Sequence, residues 1–113
     1  MSRSDINRTG DITELRACTW LLELGCEVFR NVGSTGPIDI VAIKDGKVQL
    51  LDVKSNRTSR LTPIQAAMGV ALLIECPDKG FRIEGASDIM WRKVGMAWKK
   101  RLIKEKIMRE MLS

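Results

Sequence analysis

The sequence predicts an α/β domain, a central mixed sheet of about four strands with a helix on either side and a basic helical tail. Three observations carry that prediction. Residues 38–54 and 70–83 each hold two apolar runs around a turn signal, a capped apolar-periodic stretch precedes them, and everything after Ser87 is helical in composition.

Taken in order, Asp11 or Thr13 can cap a first helix running to about Leu24 and ended by Gly25. Leu15, Cys18 and Leu22 form one stripe, with Glu14, Ala17 and Leu21 beside it, so Glu14 sits near the buried face. Residues 27–30 read as a first strand. A loop with two glycines leads to Pro37, and a second strand covers about 38–43. The Lys44-Asp45-Gly46 turn makes the third strand, 47–54, its antiparallel partner. A polar loop with Ser55, Arg57 and Arg60 follows, and then a short helix opened by Thr62 and Pro63 and carrying Gln65. Residues 70–75 and 81–83 resemble a second hairpin turning at 77–80. In the tail, Trp91, Val94, Trp98 and Leu102 line one side, while Ile103, Ile107 and Met111 line nearly the opposite one. A break, or packing on two surfaces, is expected there.

Composition narrows the function classes. A chain of 113 residues has room for one modest core. With no histidine, Ser-His-Asp and Cys-His catalysis and the usual zinc triads are excluded. The three cysteines are far apart and suit core filling in a reducing compartment. Few aromatics argue against a wall of stacking platforms. A polar N-terminus and no membrane-length apolar run point to a cytoplasmic protein, in a host cell's cytoplasm if virus-encoded, with no membrane partner. Residues 86–113 hold eight of the 19 Lys and Arg against three acids, which accounts for the whole net charge of +5. A neutral body with a basic tail suits a polyanionic partner, nucleic acid first.

The charges inside the first hairpin are the chemical signal. Asp39 interrupts Ile38 and Ile40, and Asp52 and Lys54 flank Val53, where an unpartnered charge would cost several kcal/mol. Pairing the strands antiparallel brings the two aspartates to neighbouring ends. Converging carboxylates repel, and a hard divalent cation relieves them, so Asp39, Asp52 and the Val53 carbonyl make a Mg²⁺ or Mn²⁺ site with no further cofactor. Lys54, on the same strand face as Asp52, would offset negative charge on a reacting phosphate. The competing reading of these residues is a salt bridge at a strand end.

The segments "TELRACTWLLELGCEVFRN", "GPIDIVAI" and "LLDVKS" together resemble the PD-(D/E)xK nuclease superfamily, most closely its small Holliday-junction-resolvase-like members, phage-encoded ones included. The resemblance spans roughly residues 12 to 83. Residue by residue, Glu14 matches the acid of that family's first helix, Asp39 its metal-binding aspartate, Asp52 and Lys54 its (D/E)xK pair, and Gln65 a supporting polar residue. Here the proline stands two residues before the aspartate, and the tail has no counterpart.

The resemblance implies a restriction-endonuclease-like core over 1–85 with 86–113 as a basic helical extension, and a Mg²⁺-dependent endonuclease hydrolysing DNA, with junction or branched DNA as candidate structure-selective substrates. Glu14, Asp39, Asp52, Lys54 and Gln65 would serve catalysis, with Glu14 also on metal. Ser55, Arg57, Arg60, Lys99, Lys100, Arg101 and Lys104 would hold DNA, and a homodimer would let two sites cut both strands. The alternative is a catalytically inactive DNA-binding or assembly module with the same fold.

Overall fold

The computed structural model describes residues 3–33, 35–55, 59–77 and 80–112, with side chains described outside 3–7 and 96–103. Three helices and five strands follow in the order α1 (Arg3–Glu23), β1 (Glu27–Arg30), β2 (Ile40–Lys44), β3 (Lys47–Lys54), α2 (Pro63–Ala67), β4 (Val70–Cys76), β5 (Gly80–Glu84) and α3 (Ile89–Leu112). The strands form one mixed sheet in sequence order. β3 and β4 are parallel, joined through α2, and every other neighbouring pair is antiparallel. All five segments that the sequence pattern marks as strands join the sheet, where about four were expected.

Alternation along the strands assigns the faces. Ile40, Ala42, Leu51, Val53, Ala71, Leu73 and Phe81 pack with Ala17 and Leu21 of α1 and with Trp91 and Val94 of α3 in one core. Both long helices therefore lie on one face. Val70, Leu72 and Ile74 point to the other face and are also buried, on the strand against which α2 packs.

Three expectations need correction. Helix α1 starts at Arg3, eight or more residues before the predicted caps. Thr13 is buried inside the helix and its hydroxyl donates to the Thr9 carbonyl at 3.0 Å, the back-bonding that Thr uses when it does not cap. The buried stripe is Thr13, Ala17 and Leu21, while Leu15 and Leu22 are more than half exposed. Gly25 does end the helix. Its φ of 84° allows the Schellman pair Cys26 N–H to Leu21 C=O (3.1 Å) and Gly25 N–H to Leu22 C=O (3.0 Å).

Strand β2 begins at Ile40, not Ile38, because Asn31 takes over the preceding residues. Its side-chain amide donates to the carbonyls of Thr35 (2.8 Å) and Ile38 (2.9 Å), and its own N–H donates to Asp39 C=O at 2.9 Å. The predicted tail break is absent: α3 is continuous over its 24 residues. Its first turns are buried through Trp91 and Val94, whereas Ile107, Met108, Met111 and Leu112 are exposed. The side chains of Trp98, Leu102 and Ile103 lie outside the described residues. No described helix is long and apolar enough to cross a membrane.

Candidate functional site

The β2–β3 register, Ile40 opposite Leu51, carries Asp39 to a position opposite Asp52. Asp39 N–H donates to Leu51 C=O at 2.9 Å, and Val53 N–H donates to Asp39 Oδ2 at 2.8 Å. The aspartate is thereby clamped across the strand end at both its backbone and its side chain. Burial is the first cause of a carboxyl pushed up from 3.8 to about 6, and the Asp52 carboxylate within hydrogen-bonding reach is the second. The Val53 amide pulls the other way, and the negative charge of Glu14 adds to the rise.

Asp52 is 6% exposed. Because Leu51 and Val53 face the core, Asp52 and Lys54 share the opposite face, and Lys54 Nζ stands 3.7 Å from Asp52 Oδ2 with its side chain 44% exposed. Lys54 thus pairs with Asp52, and its other side is open to solvent. Val53 meets Asp39 through its amide.

Glu14 arrives from the α1 side of the sheet. It faces Arg30 Nε at 3.7 Å, and the other arm of Arg30 reaches Asp11 at 3.4 Å. Glu14 is near enough to act on Asp39 through its charge, but among the described residues no three Asp, Glu or Cys side chains gather as a metal cluster. The sheet brings Asp39, Asp52 and Lys54 together and leaves Glu14 on an ion pair.

Gln65 is buried and fully engaged. Its Oε1 accepts from Thr62 N–H at 3.0 Å, Thr62 Oγ1 accepts from Gln65 N–H at 3.2 Å, and Gln65 Nε2 donates to Pro37 C=O at 3.0 Å. This capping box closes α2 and fastens it to the segment that delivers Asp39. Gln65 acts on the site through Pro37 and has no direct bond to either carboxylate. Ser55 and Arg60 are exposed beyond the end of β3, and Lys104 is exposed on α3. Arg57, and the side chains of Lys99, Lys100 and Arg101, lie outside the described residues.

A cavity of about 670 Å³ between α1 and the β4–β5 turn is lined by Leu15, Trp20 and Phe81 among others and contains neither aspartate. A smaller one of about 240 Å³ has Asp39 in its wall. Chemistry outweighs size here, since only the second holds a perturbed acid. Sequence reasoning missed Asn31, the residue that shapes the Asp39 loop. An Asn at the head of "NVGSTGP" was the available signal, since Asn side chains close such turns on their own backbone.

No protein-family model, curated protein or solved structure matches this chain.

Proposed function

We propose that the protein is a Mg²⁺- or Mn²⁺-dependent endonuclease that hydrolyses DNA phosphodiester bonds, built on a restriction-endonuclease-like core. The observation that carries this reading is the pair Asp39 and Asp52, brought within hydrogen-bonding reach with Lys54 beside them. Two carboxylates, of which Asp39 is lifted to about 6 by burial first and by the nearness of Asp52 second, are an oxygen donor set short of positive charge, which fits a hard divalent cation. Asp39 and Asp52 would hold the ion, which when bound neutralises phosphate charge and acidifies water.

The chain's own groups do the rest. Val53 N–H fixes one oxygen of Asp39. Lys54, anchored at one side by Asp52 and open at the other, places a cation where a phosphate would accumulate charge. Gln65 and Asn31 hold the chain on either side of Pro37 so that Asp39 keeps its register. Glu14, held by Arg30, contributes negative potential from the far face rather than a ligand. Ser55, Arg60 and the basic tail supply non-specific phosphate contacts, and a homodimer would present two sites to two strands.

The deciding experiment is nicking of supercoiled plasmid by the purified protein in Mg²⁺ and in EDTA. Nicking that needs Mg²⁺ and vanishes in Asp52→Asn supports the proposal. DNA binding with no nicking of plasmid or branched DNA in either metal replaces it with an inactive DNA-binding module.

A further inference from the structure

The sheet face that carries Asp52 and Lys54 is open, among the described residues, along β1, β2 and the start of β3, while Asp52 itself is buried. Among the described helices, the one that packs on β1 and β3 is α1, and it covers the other side. The registers put Phe29, Val41 and Leu50 in one cross-strand row of the open face and Ile43 and Val48 in the next. Phe29 is 54% and Val48 58% exposed. Asp39 and Asp52 form the row immediately beyond Val41 and Leu50. The 240 Å³ cavity opens at that junction, with Phe29, Asn31, Ile38, Asp39 and Val41 in its wall.

An exposed aromatic ring and an apolar hollow thus stand against the acidic pair. Phe29 is paired with Val41, two strand positions from Asp39 and so about 7 Å away, a distance that one unstacked nucleotide spans. We infer that this cavity receives a single unpaired nucleobase, stacked on Phe29, from the nucleotide next to the phosphate held at Asp39 and Asp52. The substrate is then nucleic acid with unpaired bases at the cut, such as a gap, a flap or a single strand. This rests on the nuclease reading above.

Three features favour a base as the occupant. The hollow has room for one base, and every base offers a π-face to a phenyl ring. The polar groups in its wall are engaged elsewhere: the Asn31 amide donates to Thr35 and Ile38 and its Oδ1 accepts from Gly33 N–H at 2.9 Å, the Arg30 guanidinium faces Asp11 and Glu14, and Asp39 accepts from Val53 N–H. Recognition is therefore by stacking and tolerant of base identity. A base inside an intact duplex has both faces stacked and must first be extruded, so continuous duplex is the poorer ligand.

The test is made with Ca²⁺ in place of Mg²⁺, so that the acidic pair is neutralised and a phosphate can seat there while binding is read. One labelled sequence is titrated as continuous duplex and as duplex with a short central gap, with 2-aminopurine as a gap base. The expected result is about tenfold tighter binding to the gapped form, quenching of 2-aminopurine on binding, loss of most of that preference in Phe29→Ala and its retention in Phe29→Trp. Equal affinity of the wild-type protein for both forms, or unchanged 2-aminopurine emission, overturns the inference whether or not Phe29→Ala folds. A halved mass of Phe29→Ala by sedimentation also overturns it, because the open face is then a contact between copies. Plasmid nicking in Mg²⁺ without any gap preference rejects the base pocket alone, whereas absence of nicking on every DNA rejects the nuclease reading.

Discussion

Asp39 is a residue whose two roles pull apart, and pH separates them. Its folded carboxyl titrates at about 6 against an ordinary 3.8, so between those values the folded chain holds a proton that the unfolded chain has lost. Stability in EDTA should therefore fall as pH rises through about 4 to 6 and stay at its floor above. Asp39→Asn keeps an oxygen for Val53 N–H and gives Asp52 a donor in place of a like charge. It should raise the melting temperature at pH 7.5 by several degrees, about 1–2 kcal/mol after solvent screening, and by almost nothing near pH 4, while abolishing nicking. A melting curve of the variant that is unchanged or lower at pH 7.5 removes the repulsion argument. Metal should reverse the order, with Mn²⁺ stabilising the wild-type chain above pH 6 and leaving Asp39→Asn unmoved. Lys54 is half exposed, so Lys54→Ala should barely alter melting yet lower the nicking rate about a hundredfold. Lys54→Arg should recover little, because guanidinium meets a phosphate with a different geometry. Full activity of Lys54→Arg would reduce Lys54 to charge alone.

At the scale of elements, what the sequence disclosed was what local chemistry dictates. Both hairpins, the Thr62 capping box and the Gly25 stop are legible because turn residues and caps act over three or four positions. The convergence of Asp39 and Asp52 follows from the hairpin register alone. The start of α1 was not legible: Gly10 in "RTGD" reads as a turn, yet an exposed helical glycine costs only about 1 kcal/mol and the helix runs through it. The face of α1 was misjudged because Leu15 and Leu22 look like core. They are left at the 670 Å³ groove wall or in solvent by the way Ala17 and Leu21 meet the sheet. Small residues at 17 and 42 let helix and sheet approach, which hydrophobicity does not reveal. Gly95 shows the same physics on α3. A Cβ there would lie 2.9 Å from the Ile83 Cβ and backbone nitrogen and 3.1 Å from its carbonyl oxygen. Gly95→Ala should therefore cost about 1–3 kcal/mol although alanine is the better helix former, and the same substitution at open Gly10 should be stabilising. Chemical denaturation of the two variants checks the contrast, and a stabilised Gly95→Ala would mean that α3 does not press on β5 as described.

For the whole molecule, charge and apolar surface are divided in a way that makes two jobs separable. The net +5 lies in residues 86–113, whose helix α3 is exposed from Lys104 to Leu112. On that stretch Lys104, Lys106 and Arg109 stand beside an equally exposed apolar set, Ile107 with Met111 and Met108 with Leu112, each pair one helical turn apart. Phosphate contacts release counterions, so each cation that binds DNA steepens the log-log salt dependence of affinity by about 0.9. Changing Lys104, Lys106 and Arg109 to glutamine should flatten that slope by about two to three, weaken every DNA alike and leave the nicking rate at saturating DNA close to wild type. Ile107→Asp with Met111→Asp adds two negative charges, so its control is Lys104→Asp with Lys106→Asp, which does the same without touching the apolar set. Only the former pair should lower the sedimenting mass or the melting temperature, if the apolar turns are what hold a second subunit. A salt slope unchanged by the three glutamines would place DNA binding on Lys54, Ser55 and Arg60 at the sheet end and assign the exposed tail to an acidic protein surface instead.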